Sequence, residues 1–162
     1  MARTVFVGLP YSAEFPAANF PQMTLSNRRP ALAFDASTAE ACQWTTVAPV
    51  GLTGTLTAKV LYAMASATSG GVAFTVEVEA ITPGDAVDTD TADSFDSVNT
   101  GTDATVPATA GYVDTVSITL TNADSIAAGD LVRFRLTRAV ANAADTATGD
   151  CLALAIEIQD AG

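Results

Sequence analysis

The sequence predicts an all-β fold, an antiparallel β-sandwich, on three observations. Strand-length segments alternate apolar and polar residues, Gly, Asp and Pro turns separate them, and the composition favours Val, Thr, Ala, Ser and Gly over aromatics. Nothing longer than a turn at Ser37 to Ala41 carries a helical signal. At 162 residues the chain has the length of one domain, enough to bury a core without disulfide or metal staples.

Residues 1–30 carry Pro10, Pro16, Pro21 and Pro30, with Phe6, Tyr11, Phe15 and Phe20 between them and no sustained period. That pattern predicts an extended N-terminal arm ahead of a domain over 31–162. Stretched out, such an arm reaches on the order of 100 Å. Either its aromatics anchor it to a partner, or it folds back over its own domain. Arg28 and Arg29, where arm and domain meet, are placed to contact an acidic partner surface or to stand solvated at a strand entry.

The strands follow by alternation. Ala31–Asp35 is the first and Cys42–Ala48, with the only tryptophan, the second; Pro49–Gly54 is a turn. Thr55–Ala65 places Leu56, Ala58, Val60, Tyr62 and Met64 on one face. Val72–Ile81 turns Val72, Phe74, Val76 and Val78 inward and Thr75, Glu77 and Glu79 to water. A polar loop from Ala86 to Ala110 holds one short strand at Phe95–Val98. Tyr112–Thr121 buries Val116, Ile118 and Leu120; Leu131–Arg138 buries Val132, Phe134 and Leu136, with Arg133 and Arg135 outward. Cys151–Gln159 closes the domain with Leu152, Leu154, Ile156 and Ile158 on the core face. Seven or eight one-sided strands bury most economically as two packed sheets, with a jelly roll the first topology and another β-sandwich the second.

Eighteen acidic residues against seven basic ones, with no histidine, give a net charge of −11. Such a surface repels nucleic acid and anionic lipid. From Pro83 to Asp130 there are nine aspartates and no Lys or Arg. The first ten residues hold an apolar patch too short for a signal peptide or a spanning helix, which predicts a protein made in the cytoplasm without membrane partners. There Cys42 and Cys151 read as two small buried thiols, with a disulfide formed after release as the alternative.

Catalytic constellations are scarce. Without histidine, Ser-His-Asp and Cys-His mechanisms are excluded. Lys59 is the only lysine and lies in a strand, where a Ser-Lys pair needs a buried pocket. Glu77 and Glu79 have the residue types of a glycosidase pair but read more simply as the solvated side of a strand, suited to cross-strand pairing with Arg133 and Arg135. Asp88, Asp90 and Asp93 are the best metal candidates, for calcium, in a segment that lacks the glycine and glutamate of an EF-hand loop and serves equally as a solvated acidic loop. No phosphate-binding glycine loop is present, no cofactor is implied, and the chain reads as non-enzymatic.

From Trp44 to Gln159 the order of cues resembles jelly-roll virion proteins of tailed bacteriophages, capsid decoration (cement) proteins among them. The cues are Trp44 before a long Thr/Val strand, Gly70-Gly71 before Val72-Ala-Phe-Thr-Val76, Ala128-Gly129-Asp130 before Leu131–Arg138, and Gly149-Asp150 before the last strand. The resemblance implies a homotrimer on the outer capsid surface, bound to the major capsid protein through an N-terminal arm. On that reading Phe6, Tyr11, Phe15, Phe20, Arg28 and Arg29 form the partner-binding arm. The alternative is a head or tail fibre knob that binds a host glycan or receptor.

Overall fold

The alternating segments fold as ten strands in a computed structural model that describes residues 1–91 and 93–162. They are β1 (Arg3–Gly8), β2 (Gln22–Ser26), β3 (Arg29–Phe34), β4 (Ala41–Val47), β5 (Leu56–Met64), β6 (Val72–Ile81), β7 (Asn99–Asp103), β8 (Val113–Leu120), β9 (Leu131–Arg138) and β10 (Cys151–Asp160). One 3-10 turn, Pro10–Ser12, is the only helical element among the described residues. Ala92, in the loop read as polar, lies outside them.

Every ladder is antiparallel. A six-stranded sheet runs β2-β3-β10-β5-β8, with β1 also on β10, and a four-stranded sheet runs β4-β9-β6-β7. The chain is therefore a β-sandwich. Its pairing is nested: β3 pairs with β10, β4 with β9, β5 with β8 and β6 with β7, each pair enclosing the next along the chain.

The inward residues of β5, β6, β8 and β9 are buried as their alternation predicts. Phe34 from one sheet meets Phe74 from the other edge-on, with ring centroids 5.6 Å apart. Each such side chain withdrawn from water contributes about 1.5–3 kcal/mol. At one margin the two sheets nearly touch, because a β-carbon on Gly101 of β7 would sit 2.6 Å from the Ser117 carbonyl oxygen of β8. Only glycine allows that approach.

Four expectations change. The short strand lies at Asn99–Asp103 rather than Phe95–Val98, because this short edge strand is selected for its small Gly101 and not for hydrophobic alternation. In β10 the register shifts between Ala153 and Ala155, and the bulge reverses which side faces inward. Cys151 and Ala153 are thus buried and Leu152 and Leu154 only half-buried, while Ile156 and Ile158 face the core as expected. The first thirty residues are not extended away from the domain: β1 pairs with the second half of β10 and β3 with its first half, and β2 adds outside β3. The boundary expected at residue 30 falls within β3. The reason is unmet hydrogen bonding, since without β1 the outer backbone groups of Ile156–Asp160 would lack a ladder.

Arg138 falls on the inward side of β9 and is fully buried. All five of its N–H donors are used. Nε and Nη2 reach the Asp145 carboxylate at 3.2 and 3.0 Å, Nη1 reaches the carbonyls of Phe34 and Gly149, and Nη2 reaches that of Ala147. Asp145 also accepts the Ala73 N–H at the start of β6. Arg138→Met strips four acceptors of their donors and leaves a buried carboxylate uncompensated, so urea denaturation should show a loss of about 3–5 kcal/mol. An unchanged midpoint would contradict this role.

Candidate docking surface

Ser26-Asn27-Arg28-Arg29 joins β2 to β3 in a two-residue hairpin, with φ of 46° at Asn27 and 70° at Arg28. Two positive φ values define the primed turn that suits twisted strands, and its second position favours glycine. Arginine there costs about 1–2 kcal/mol of backbone strain. Both Arg28 and Arg29 are exposed, and neither makes an ion pair among the described residues.

Met23 lies opposite the buried Leu32, and Leu25 opposite Pro30, so both stand on the core-facing side of the sheet. Yet they are 48% and 67% exposed, because β2 is the outermost strand on that side of the six-stranded sheet and nothing described covers it. Two apolar side chains and two unpaired cations thus share one hairpin.

Of the residues read as a partner-binding arm, Phe6 is placed elsewhere. It stacks on Phe134 with centroids 5.7 Å apart and packs against the core, because the bulge at Val5 turns it inward. Phe20 is half-buried against Phe15, at 5.5 Å between centroids, and Phe15 and Tyr11 are exposed. The segment between them is pinned to the free side of β4 by the Glu14–Gln43 bridge and by Asn19, whose carbonyl accepts the Ala41 N–H. Exposed Tyr11, Phe15, Met23, Leu25, Arg28 and Arg29 therefore all belong to residues 11–29. Met23 and Leu25 were legible only as an alternation around Thr24 ahead of a turn-forming Asn27.

Charge divides the same way. The first 34 residues hold three arginines against Glu14, whereas the remainder holds four cations against seventeen acids. The three arginines among those later cations are engaged. Arg135 makes a two-pronged contact with Glu77 at 2.9 and 2.7 Å, and Arg133 bonds Glu79 and reaches Asp93 at 2.6 Å. The Phe95 ring lies 4.0 Å from the Arg135 guanidinium and 4.9 Å from that of Arg133. Glu77 and Glu79 do stand opposite Arg135 and Arg133 in register, but Glu79 does not face water: Arg133 and the Ser94 N–H and hydroxyl cover it completely. Lys59 stands opposite Glu157 and Ser117, with Ser117 exposed on the outer sheet face.

The metal candidates separate. Asp93 turns onto Arg133, while Asp88 accepts the Asp90 N–H at 3.0 Å in its own turn. Among the described residues no three His, Cys, Asp or Glu side chains gather as a metal cluster. Cys42 and Cys151 are free buried thiols, and burial raises both pKa values, that of Cys151 to about 12.

On the outer face of the four-stranded sheet, Gln43, Arg135 and Glu77 form a cross-strand row. With Thr137 they floor a groove of about 260 Å³ walled by Pro16 and Asp93. Nη1 of Arg135 is 3.8 Å from the Asp93 carboxylate, beyond hydrogen-bond reach.

Among the described residues no helix is long and apolar enough to cross a membrane. No protein-family model matches the chain, and no curated protein matches it.

Several carboxylates are held ionised. Hydrogen bonds from the Ser37 hydroxyl and the Ser37 and Thr38 N–H groups bring Asp35 down to about 2. The Thr53 N–H, aided by those of Gly162 and Gly54, lowers Asp160 against its burial. Burial raises Glu79, but the bonds from Arg133 and Ser94 outweigh it and leave it below the usual range. Such groups take up protons more readily when unfolded, so their stabilisation is complete above about pH 5 and is lost as pH falls through their folded values. Glu40, raised by burial, acts in the opposite sense. Urea midpoints should fall from pH 7 to 4 to 3, with a shallower fall in Asp160→Asn; a midpoint that rises on acidification would refute the assignment.

Proposed function

We propose that this chain is a non-catalytic capsid decoration (cement) protein of a tailed phage, a jelly-roll module that binds the outside of the head and bridges major capsid subunits. The nested strand pairing supports the jelly roll, whose eight strands form two such four-stranded sets. β3 through β10 supply the eight, and β1 and β2 are additions. The likeness to phage virion proteins extends the proposal to a homotrimer.

The observation that carries the docking role is Arg28 in a strained turn, unpaired, beside exposed Met23 and Leu25. Strain is retained where the surrounding structure enforces it and often marks function. On a protein of net negative charge, this margin combines exposed apolar side chains with two unpaired arginines, and it suits an acidic capsid surface.

Purified chain mixed with undecorated capsids should bind stoichiometrically and raise their resistance to heat. Arg28→Gly relieves the backbone strain, so it should keep or raise the stability of the free chain while weakening capsid binding and flattening its salt dependence. Wild-type chain that ignores the shells would sink the proposal.

The groove favours a second reading, a fibre knob for a host glycan, because Gln43, Thr137 and the free Nη1 of Arg135 present donors and acceptors on rigid strands. Saturation-transfer NMR with a panel of monosaccharides should then show transfer that Gln43→Ala and Thr137→Ala abolish. Absence of transfer from every sugar removes this reading.

A further inference from the structure

We infer that the free edge of β2 is completed by an extended, acid-bearing segment of the capsid partner, which adds to the six-stranded sheet as a further strand. This rests on the docking reading above and specifies how it is achieved.

The backbone geometry comes first. A two-residue hairpin closes on a hydrogen-bonded pair, here Ser26 and Arg29, and the pairs alternate from there. Thr24–Ala31 and Gln22–Ala33 are therefore bonded pairs, and Met23–Leu32 and Leu25–Pro30 are not. Pro30 fits this register, since it has no N–H to give. Consequently the N–H and C=O groups of Met23 and Leu25 point away from β3. Among the described residues they meet no hydrogen-bond partner. The residues with open backbone groups are the same two whose apolar side chains are exposed.

Edge strands invite added strands, and proteins blunt them with lysine, proline, bulges or covering segments. The other margins are covered or blunted: β8 lies under β7 at Gly101, β4 is bordered by the Glu14–Gln43 bridge and by Asn19, and β1 carries a bulge between Thr4 and Phe6. β2, Gln-Met-Thr-Leu-Ser, has no charge, no proline and an unbroken register with β3. Its five residues offer about 17 Å of edge, with alternate side chains available for selectivity as in other strand-addition complexes.

The charges choose the occupant. A second copy pairing β2 with β2 would set Met23 against Leu25, but that strand holds no acid to meet Arg28 and Arg29. An acid-bearing partner strand satisfies backbone, apolar and ionic groups together.

Hydrogen exchange on the full chain, free and bound to undecorated capsids, tests this directly. The Met23 and Leu25 amides should exchange freely in the isolated chain and slow about tenfold or more on the shell. Met23→Pro removes an outward N–H that β3 does not use, so it should leave the thermal midpoint of the free chain near that of wild type and weaken binding more than Met23→Ala, which keeps the N–H but also loses the side chain. Binding in which both amides still exchange freely and Met23→Pro binds like wild type overturns strand addition and leaves the docking reading standing. Failure of wild type to bind overturns both. Protection of the same amides in a dimer, seen by sedimentation without capsids, overturns the partner in favour of a second copy.

Discussion

The guanidinium of Arg138 is the point on which the sandwich closes. It is the largest fully buried side chain, and its five donors take the last carbonyl of β3, two carbonyls of the segment entering β10, and Asp145, which in turn holds the start of β6. One side chain thus ties both sheets and the crossing loop at the same end. A buried pair of this kind contributes little beyond an apolar replacement, but its geometry admits one arrangement of four chain segments. Removing one partner leaves the others unpaired where water cannot reach.

With that end closed, the remaining problem is the margins. The two sheets differ in extent, six strands against four, so some core-facing surface has no opposite sheet. The N-terminal thirty residues deal with most of it: β1 pairs the exposed half of β10, Phe6 packs on Phe134, the carbonyl of Leu9 takes the Trp44 indole N–H, and residues 14–19 border β4. Gly8 is needed where β1 passes Trp44, since a β-carbon would lie 2.9 Å from its ring. What this segment leaves open as an unbroken edge is the outer side of β2.

Electrostatics sort the surface along the same division. On β6 and β9 cations and acids pair in register, roofed by Phe95 and Asp93, and this network stabilises the sheet without offering free positive charge. The exposed, unpaired Arg28 and Arg29 lie on the β2–β3 turn, within the stretch that also carries exposed Tyr11, Phe15, Met23 and Leu25. Margin closure and the exposed apolar and cationic groups consequently fall to one segment, which explains why its composition matches neither a plain strand nor a plain loop.

The all-β class, seven of the ten strands and most inward residues were legible in the sequence because alternation is local chemistry, dictated by one buried face. Even Arg138 lay on the inward parity of its strand. Alternation could not reveal the bulge at Leu154, the turn of Phe6 into the core, or the burial of Glu79 beneath Ser94, since each depends on what a distant segment lays against it. The prolines of residues 1–30 mark an irregular chain, but whether such a chain extends or folds back is settled by unmet hydrogen bonds on β10, some 150 residues away. The candidate surface follows the same rule. Its residue types, Arg28 and Arg29 among aromatics, were readable, whereas the exposure of Met23 and Leu25 arises only because one sheet is wider than the other.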